Sequence, residues 1–215
     1  MIYFCISSLP DSFSVERATR SLKSSFCGKD NSEYIDKIAS RTPSAAAEGL
    51  YALEILDKML EECFQKAHRD NVTLARREGG KPYFQGSILK FSISHSDGII
   101  ACAISDNGEV GIDIEASDID TKRANSIAAR FFSAADISHL SGDAEAFKRE
   151  WTRKEAAAKM YGMPLAEYLK LSKNGELEDY PIPFYFEYTE CGFPVTICAD
   201  KSQNIVKRVI VSANS

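Results

Sequence analysis

Apolar and polar positions alternate in several short stretches of the chain, and this period of two is typical of half-buried β-strands. The alternation occurs once near the N-terminus, three times in the middle of the chain and three times towards its end. It predicts strands at residues 2–7, 88–94, 99–105, 110–115, 182–188, 193–199 and 205–212.

A different spacing, in which apolar residues recur three and four positions apart, predicts helices. The longest helix follows Thr42 and Pro43 and extends to about His68. A capping residue followed by proline at the first helical position is a common helix start. Two further helices are predicted at residues 122–132 and from about residue 143 to residue 161.

The predicted elements follow the order of a helix and then three short strands, and this order occurs twice. We therefore predict an α+β fold of two similar halves, each a helix plus a three-stranded antiparallel meander. Asp106-Asn107-Gly108 predicts a hairpin turn between the strands at 99–105 and 110–115. The halves are assigned to residues 1–116 and 117–215.

Composition agrees with a globular protein. The chain has 215 residues, 44% of them hydrophobic and 27% charged, so it can bury a core as one domain or two small ones. No apolar run is long enough to span a bilayer, which predicts no membrane segment. The first residues lack a basic region and predict a strand, not a signal peptide.

Net charge and cysteine spacing indicate which partners and which cell compartment suit the chain. The net charge of −5 argues against a nucleic-acid partner. Six scattered cysteines without a C-x-x-C pair indicate reduced thiols, which favours a cytoplasmic location. The three histidines show no zinc-type spacing.

Candidate chemistry lies on one predicted strand and one predicted helix. Asp113 and Glu115 alternate with apolar residues, so both project from one strand face, roughly 6–7 Å apart. Glu155 and Lys159 lie one helical turn apart on one face. Three carboxylates are typical ligands of Mg²⁺, and a nearby lysine suits phosphate. Each pair alone also fits a solvated strand edge or a surface ion pair.

Two further candidates lie upstream. The F-S-I-S-H-S stretch at residues 91–96 ends a strand on a polar cluster that contains Ser94 and His95. The G-G-K-P turn at residues 79–82 carries Lys81. Imidazole and ammonium groups both donate hydrogen bonds to phosphate oxygens. The alternative for His95 is a loop histidine held by serine hydroxyls.

Taken in order, these motifs resemble those of the 4′-phosphopantetheinyl transferases of the surfactin-synthetase-activating (Sfp) type. The resemblance covers residues 80–165 and includes G-K-P, F-S-I-S-H-S, V-G-I-D-I-E, R-F-F-S and W-T-R-K-E-A-A-A-K-M-Y-G. It departs from the family at Asp136, where a glutamate is frequent. It implies a pseudo-twofold fold with the active site in the cleft between the halves.

The resemblance also implies a reaction. The 4′-phosphopantetheine arm of coenzyme A passes to a serine hydroxyl of an apo acyl or peptidyl carrier protein, and adenosine 3′,5′-bisphosphate is released. Mg²⁺ is the implied cofactor and coenzyme A the co-substrate. A chain with both halves is expected to act as a monomer.

The resemblance assigns roles residue by residue. The implied metal ligands are Asp113, Glu115 and Glu155, and the implied catalytic residues are Glu155 and Lys159. Whether Glu155 or a metal-held water is the general base stays open. Residues that match coenzyme A contacts are Arg41, Lys81, Ser94, His95, Asp113, Lys154 and Lys159. Carrier docking is expected around residues 162–169, where Met163, Leu165, Tyr168 and Leu169 offer either apolar contacts or ordinary packing.

Two other classes of function stay open. One is a different Mg²⁺-dependent phosphotransferase or nucleotide hydrolase that uses the same carboxylates, although the chain has no P-loop or kinase-type glycine loop. The other is a non-catalytic module that binds coenzyme A or a carrier. The joint presence of Asp113, Glu155 and Lys159 favours the transferase.

Overall fold

A computed structural model describes residues 1–26, 30–64, 72–77, 80–140, 142–202 and 206–210. Its helices are α1 Val15–Ser25, α2 Ser32–Ala39, α3 Pro43–Cys63, α4 Thr121–Phe131, α5 Ala134–Leu140, α6 Ala144–Tyr161 and α7 Leu165–Asn174. Its strands are β1 Ile2–Ser8, β2 Thr73–Arg76, β3 Pro82–Gln85, β4 Lys90–Ser96, β5 Ile99–Ser105, β6 Val110–Ile114, β7 Phe184–Glu190, β8 Phe193–Ala199 and β9 Val206–Arg208. Within these ranges, no helix combines the length and the apolar character that a membrane-spanning helix needs.

The strongly periodic elements lie where the sequence predicts them. Strands β5 and β8 have the predicted bounds. Helix α6 begins after Asp143, whose side chain accepts a hydrogen bond from the backbone N–H of Glu145. Helix α3 begins at Pro43 and ends at Cys63. The predicted continuation to His68 lies outside the described residues, as do Gly79 of the lysine-bearing turn and residues 205, 211 and 212 of the last predicted strand.

The pairing of the strands differs from the prediction. Strands β6, β8 and β7 form one sheet, strands β4, β5, β1 and β9 a second sheet in that order, and β2 and β3 a separate hairpin. The predicted hairpin between β5 and β6 is therefore wrong, and neither half forms the predicted three-stranded meander, since β9 of the second half pairs with β1 and not with β8. The physical reason is that β4 and β1 pair with the two edges of β5 over its whole length, so β6 has no free edge there.

Strand β6 instead lies beside β4 through serine side chains. The Ser92 hydroxyl accepts a hydrogen bond from the Ile112 N–H at 3.1 Å, and the Ser96 hydroxyl accepts one from the Ala116 N–H at 3.0 Å. Ser94, between them, donates to the Asp113 carboxylate at 2.6 Å. These alternate serines share one face of β4. They therefore hold the two sheets together at the strand that carries Asp113.

The other side of β6 packs closely on helix α6. A Cβ atom at Gly111 would lie 1.9 Å from the backbone oxygen of Ala156, so only glycine permits this approach. Ala156, Ala157 and Ala158 are almost fully buried in the core that surrounds α6. The small residues bring the helix that carries Glu155 and Lys159 next to the strand that carries Asp113.

Candidate active site

A cleft of about 460 Å³ opens where β4, β6 and α6 meet. Its lining combines residues from distant parts of the chain: Glu48, Ser94, His95, Ser96, Asp113, Glu115, Ser117, Glu155 and Lys159, with a few others. The alternation of strands β4 and β6 turns Ser94, Ser96, Asp113 and Glu115 to this side. His95 has the opposite parity on β4 and contacts Glu48 of α3. The strand and helix pairs that the sequence singled out therefore meet in one place.

Asp113 lies at the buried end of the cleft, with only 3% of its surface exposed. Its Oδ1 atom accepts hydrogen bonds from the Ser94 hydroxyl at 2.6 Å and from Lys159 Nζ at 2.6 Å. Burial raises the pKa of this carboxyl group, and the charge of Lys159 opposes that rise. The Lys159 ammonium therefore offsets part of the cost of keeping this buried carboxyl group charged.

Lys159 is a cleft residue and not part of a solvated helix face. Its Nζ atom donates to Asp113 and, at 2.9 Å, to the Ser94 hydroxyl. Glu155 Oε2 is farther away, at 3.7 Å. Glu155, the partner expected from helical spacing, is thus the more distant of the two carboxylates, and the ammonium lies between them.

Glu155 has an unusually high proton affinity. Burial and the neighbouring charge of Asp113 raise its pKa to about 7, while Lys159 and a hydrogen bond from Trp151 act in the opposite direction. The Trp151 ring also stacks on Phe132 and Phe147, as expected for a packing residue. A carboxyl group with such a pKa can accept a proton near neutral pH.

Glu115 is held from one side only. Its Oε1 atom accepts hydrogen bonds from the Ser96 hydroxyl and from the Ser117 N–H, both at 2.9 Å. Both contacts end on the same oxygen, so Oε2 is the atom that a ligand in the cleft would meet. The two serines thereby orient the outer carboxylate of the D-x-E pair.

His95 has a partner that the sequence motifs did not reveal. Its Nδ1 atom lies 3.1 Å from Glu48 Oε2, on helix α3. Glu48 is a long way from every motif and follows a run of alanines, so no local pattern marks it. Only the packing of α3 against β5 and β1 brings it to the cleft.

Lys81 lines a second, more apolar cavity of about 270 Å³, together with Met163, Leu165 and other residues. Glu155 and Lys159 border both cavities. Lys81 Nζ donates to Glu109 at 3.2 Å and to the Val110 carbonyl at 3.0 Å. Burial lowers the pKa of Lys81 to about 8, although Glu109 opposes the shift.

Other sequence candidates lie elsewhere. Arg41 is exposed just before α3 and does not line either cavity. The buried Lys154 points to a different face of α6, where Asp136 and Glu150 hold its ammonium at 2.9 and 3.2 Å. The structure therefore does not bring these two cations to the cleft.

The four candidate docking residues fall into two groups, one in the core around α6 and one beside the second cavity. Tyr168 and Leu169 are 4% and 3% exposed and belong to the core around α6. Met163 and Leu165 are partly exposed and border the second cavity. Tyr168 and Leu169 are thus packing residues.

The donors of the cleft suit a hard cation. Across the part of the chain that the structure describes, no three His, Cys, Asp or Glu side chains converge closely enough to hold a metal ion as they stand. Asp113 and Glu155 nevertheless share the Lys159 ammonium, and the charges of Asp113 and Glu115 both raise the pKa of Glu155. Crowded carboxylate oxygens of this kind are the ligand type that Mg²⁺ takes.

Comparison with known proteins identifies a family for part of the chain. Residues 109–203, which carry β6 and α6, match the 4′-phosphopantetheinyl transferase superfamily. The resemblance stated from the motifs is thereby confirmed for this part of the chain.

Three individual relatives are named as 4′-phosphopantetheinyl transferases. The chain is 42% identical over 93 residues to the 4′-phosphopantetheinyl transferase AcpT of Salmonella typhi, which is 40% of this chain and 47% of the relative. AcpT of Escherichia coli (strain K12) is 43% identical over 93 residues, 40% of this chain and 46% of the relative. The 4′-phosphopantetheinyl transferase gsp of Aneurinibacillus migulanus is 40% identical over 99 residues, 43% of this chain and 39% of the relative. The chain spans about half the length, or less, of these curated relatives.

Proposed function

We propose that the protein transfers the 4′-phosphopantetheine arm of coenzyme A to a serine hydroxyl of an apo acyl or peptidyl carrier protein. The observation that carries the proposal is the meeting of Asp113, Glu155 and Lys159 in one cleft, next to Ser94 and His95. Carboxylates that can bind a cation lie beside an ammonium group that can bind phosphate. The match of residues 109–203 to the transferase superfamily supports the same reaction.

The reaction exchanges one P–O bond for another. The serine oxygen of the carrier forms a bond to the β-phosphorus of coenzyme A, and the bond from that phosphorus to the bridging oxygen breaks. Adenosine 3′,5′-bisphosphate leaves, and the serine proton must go to a base. Glu155, whose pKa is about 7 in the metal-free cleft, is one candidate for this base, and a water held by the metal is the other, because a bound cation would lower the basicity of Glu155.

The negative charge of the pyrophosphate must be neutralised by positive groups in the site. Asp113, Glu115 and Glu155 would hold Mg²⁺, which, when bound, neutralises phosphate charge as a Lewis acid. Lys159 contributes its own positive charge beside Asp113, and it acts on the leaving phosphate. His95 donates a hydrogen bond to the phosphates from the same cleft, and Lys81 contributes from the adjoining cavity. Ser94 would bond a phosphate by turning its one hydroxyl proton from Asp113 to the ligand. Arg41 and Lys154 are not assigned to the phosphates, because neither residue lines the two cavities.

The chain can be divided at residue 116 for this purpose. Residues 1–116 supply Ser94, His95 and Asp113, and residues 117–215 supply Glu155 and Lys159. We propose that these are the two functional halves, with the site in the cleft between them. Because both contribute to one site, we propose a monomer. The described cysteines are free thiols, which supports a cytoplasmic location.

Product analysis tests the proposal against its alternatives. The protein is incubated with coenzyme A and Mg²⁺, with and without an apo carrier, and nucleotides are separated by ion-exchange chromatography. We expect adenosine 3′,5′-bisphosphate only when the carrier is present. Its release without carrier would indicate a hydrolase, and binding of coenzyme A without release in either sample would indicate a non-catalytic module.

A further inference from the structure

Glu48 is a carboxylate of the cleft that the proposed reaction does not use. It lies on α3, borders the cleft, and has a side chain that is only 12% exposed. Both of its oxygens have partners. Oε1 accepts a hydrogen bond from the Gly98 N–H at 3.1 Å, and Oε2 lies 3.1 Å from His95 Nδ1.

The Gly98 contact fixes the turn that follows His95. Asp97 and Gly98 have φ values of 50° and 75°, the left-handed pair that a tight turn between β4 and β5 requires. The Gly98 carbonyl also accepts a hydrogen bond from the Leu9 N–H at 2.7 Å. Glu48 therefore holds both the end of β4 and the turn after it against α3.

The His95 contact fixes the imidazole ring. A carboxylate oxygen has no proton to donate, so the nitrogen that faces Glu48 must carry one. With Nδ1 engaged in this way, Nε2 is the nitrogen that a ligand in the cleft meets. The bond that one ring nitrogen makes thereby sets the orientation of the other.

We propose that Glu48 is a positioning residue of the coenzyme A site, acting through His95. It does not touch the substrate. It keeps the ring in one orientation and accepts the Nδ1 proton. A ring that carries a proton on both nitrogens then donates its Nε2–H to a phosphate of coenzyme A. This inference rests on the proposed function, since coenzyme A is the ligand that His95 is to meet.

The variant Glu48→Gln separates this role from simple packing. Its amide oxygen can still accept the Gly98 N–H, and its size is unchanged. Its amide nitrogen is a donor, so the facing Nδ1 of His95 must now be the unprotonated nitrogen. The turn is thus kept while the ring tautomer is reversed.

Long-range ¹H–¹⁵N spectra of the histidine side chains report the tautomer directly. In mildly alkaline buffer we expect protonated Nδ1 for His95 in the wild type and protonated Nε2 in Glu48→Gln. The His95 signals are assigned by their loss in His95→Ala. The same tautomer in both proteins would overturn the inference, whatever the activity.

A double-mutant cycle on binding provides the second test. Dissociation constants for coenzyme A and 3′-dephospho-coenzyme A are measured by calorimetry for Glu48→Gln, His95→Ala and the double variant. We expect Glu48→Gln to weaken coenzyme A binding about tenfold, because its amide N–H cannot accept the Nδ1 proton of a doubly protonated ring. It should add almost nothing once His95 is alanine, since contacting residues couple. Losses that simply add would overturn the inference.

The control is Glu54→Gln, on the same helix but outside the cleft lining. It should bind coenzyme A like the wild type, and the melting temperatures of all variants are recorded beside the binding data. A wild type that binds no coenzyme A would overturn the proposed function together with this inference. Normal wild-type binding with additive losses would overturn this inference alone.

Discussion

Lys159 carries the positive charge around which the acidic side chains of the cleft are arranged. Its ammonium donates to Asp113 and Ser94 and lies near Glu155. Its side chain is 26% exposed, so it can meet a ligand in the cleft while it keeps these contacts. A group in this place can stabilise charge that develops on a leaving phosphate.

Replacement of Lys159 tests that role. Because the contact strengthens as charge develops, Lys159→Ala should lower kcat by on the order of 10²–10³-fold and raise the KM for coenzyme A much less. Lys159→Arg should restore only part of the rate, since the guanidinium keeps the charge but is larger and does not release a proton.

Steady-state kinetics and melting curves of both variants provide the measurement. If Lys159 were only the helical partner of Glu155, alanine would cost about 0.3–0.5 kcal/mol of stability and leave kcat unchanged. That result would contradict the assignment.

The carboxylates give a second prediction at this scale. Asp113→Ala and Glu155→Ala should each lower transfer by on the order of 10²–10³-fold while the protein stays folded, because each removes a charged ligand from a pyrophosphate site. Glu115→Ala should lose less, since water can replace the outer member of the pair. Near-normal turnover of Asp113→Ala or Glu155→Ala at saturating Mg²⁺, with unchanged circular dichroism, would contradict the metal assignment.

Lys81 gives a prediction about pH. Burial lowers its folded-state pKa to about 8 from an ordinary 10.5, so the unfolded chain binds this proton more strongly. The cost of burying the charge is present below pH 8 and is relieved as pH rises towards 10.5. Wild-type stability should therefore rise relative to Lys81→Met between these values, by at most about 1.4 kcal/mol per pH unit.

Urea denaturation of both proteins across this pH range provides the measurement. Lys170→Met, on the exposed side of α7, is the matched control and should show no such dependence. A constant difference between wild type and Lys81→Met would show that Lys81 is solvated.

Single residues differ in how far the sequence reveals them. Asp113, Glu155 and Lys159 stand in ordered motifs, and the structure brings them together. Glu48 has no motif around it, and its role depends on packing across distant elements. Lys154 belongs to a motif but points to another helix face, because neighbouring residues on a helix lie about 100° apart.

At the scale of elements, the site depends on how closely β6 approaches α6. Gly111 makes this approach possible, because a side chain there would meet the backbone of Ala156 and Met160. The backbone cannot move aside as a side chain can. The distance between Asp113 and Glu155 is thus set by a glycine that has no chemical role.

Gly111→Ala should therefore destabilise the protein by about 1–3 kcal/mol and lower transfer, because the strand must shift away from the helix. Gly49→Ala is the comparison: its Cβ would lie 2.8 Å from the Cγ2 methyl of Ile38, a side-chain atom, whereas the clash at Gly111 is with backbone. Alanine also favours the helix at Gly49, so the loss there should be smaller than at Gly111. Chemical denaturation measures the free energy of unfolding of both variants. Equal losses of this free energy would contradict the close-approach argument.

Prediction of the elements succeeded where the pattern was strong. Strands β5 and β8 and helix α6 have clear periods and defined ends, and the structure confirms them. The short helices α1, α2, α5 and α7 were missed, since each presents few buried residues. The partner of β6 was mispredicted, because a turn signal is local whereas the edges of β5 are occupied by strands from elsewhere.

At the scale of the whole molecule, the two proposed halves exchange strands. Strand β6 precedes residue 116 but pairs with β8, and β9 near the C-terminus pairs with β1. Periodicity along the chain cannot show such long-range pairing. The exchange ties the part that carries His95 to the part that carries Glu155, which is what a site built from both requires.

The central claim is that the intact protein joins phosphopantetheine to a carrier serine. Its most direct test is the intact mass of an apo carrier after incubation with the protein, coenzyme A and Mg²⁺. We expect the wild type to increase the carrier mass by one phosphopantetheinyl group, and Glu155→Ala or a carrier without its acceptor serine to give no increase at the same time point. An unchanged carrier mass with the wild type, for acyl and peptidyl carriers alike, would contradict the account.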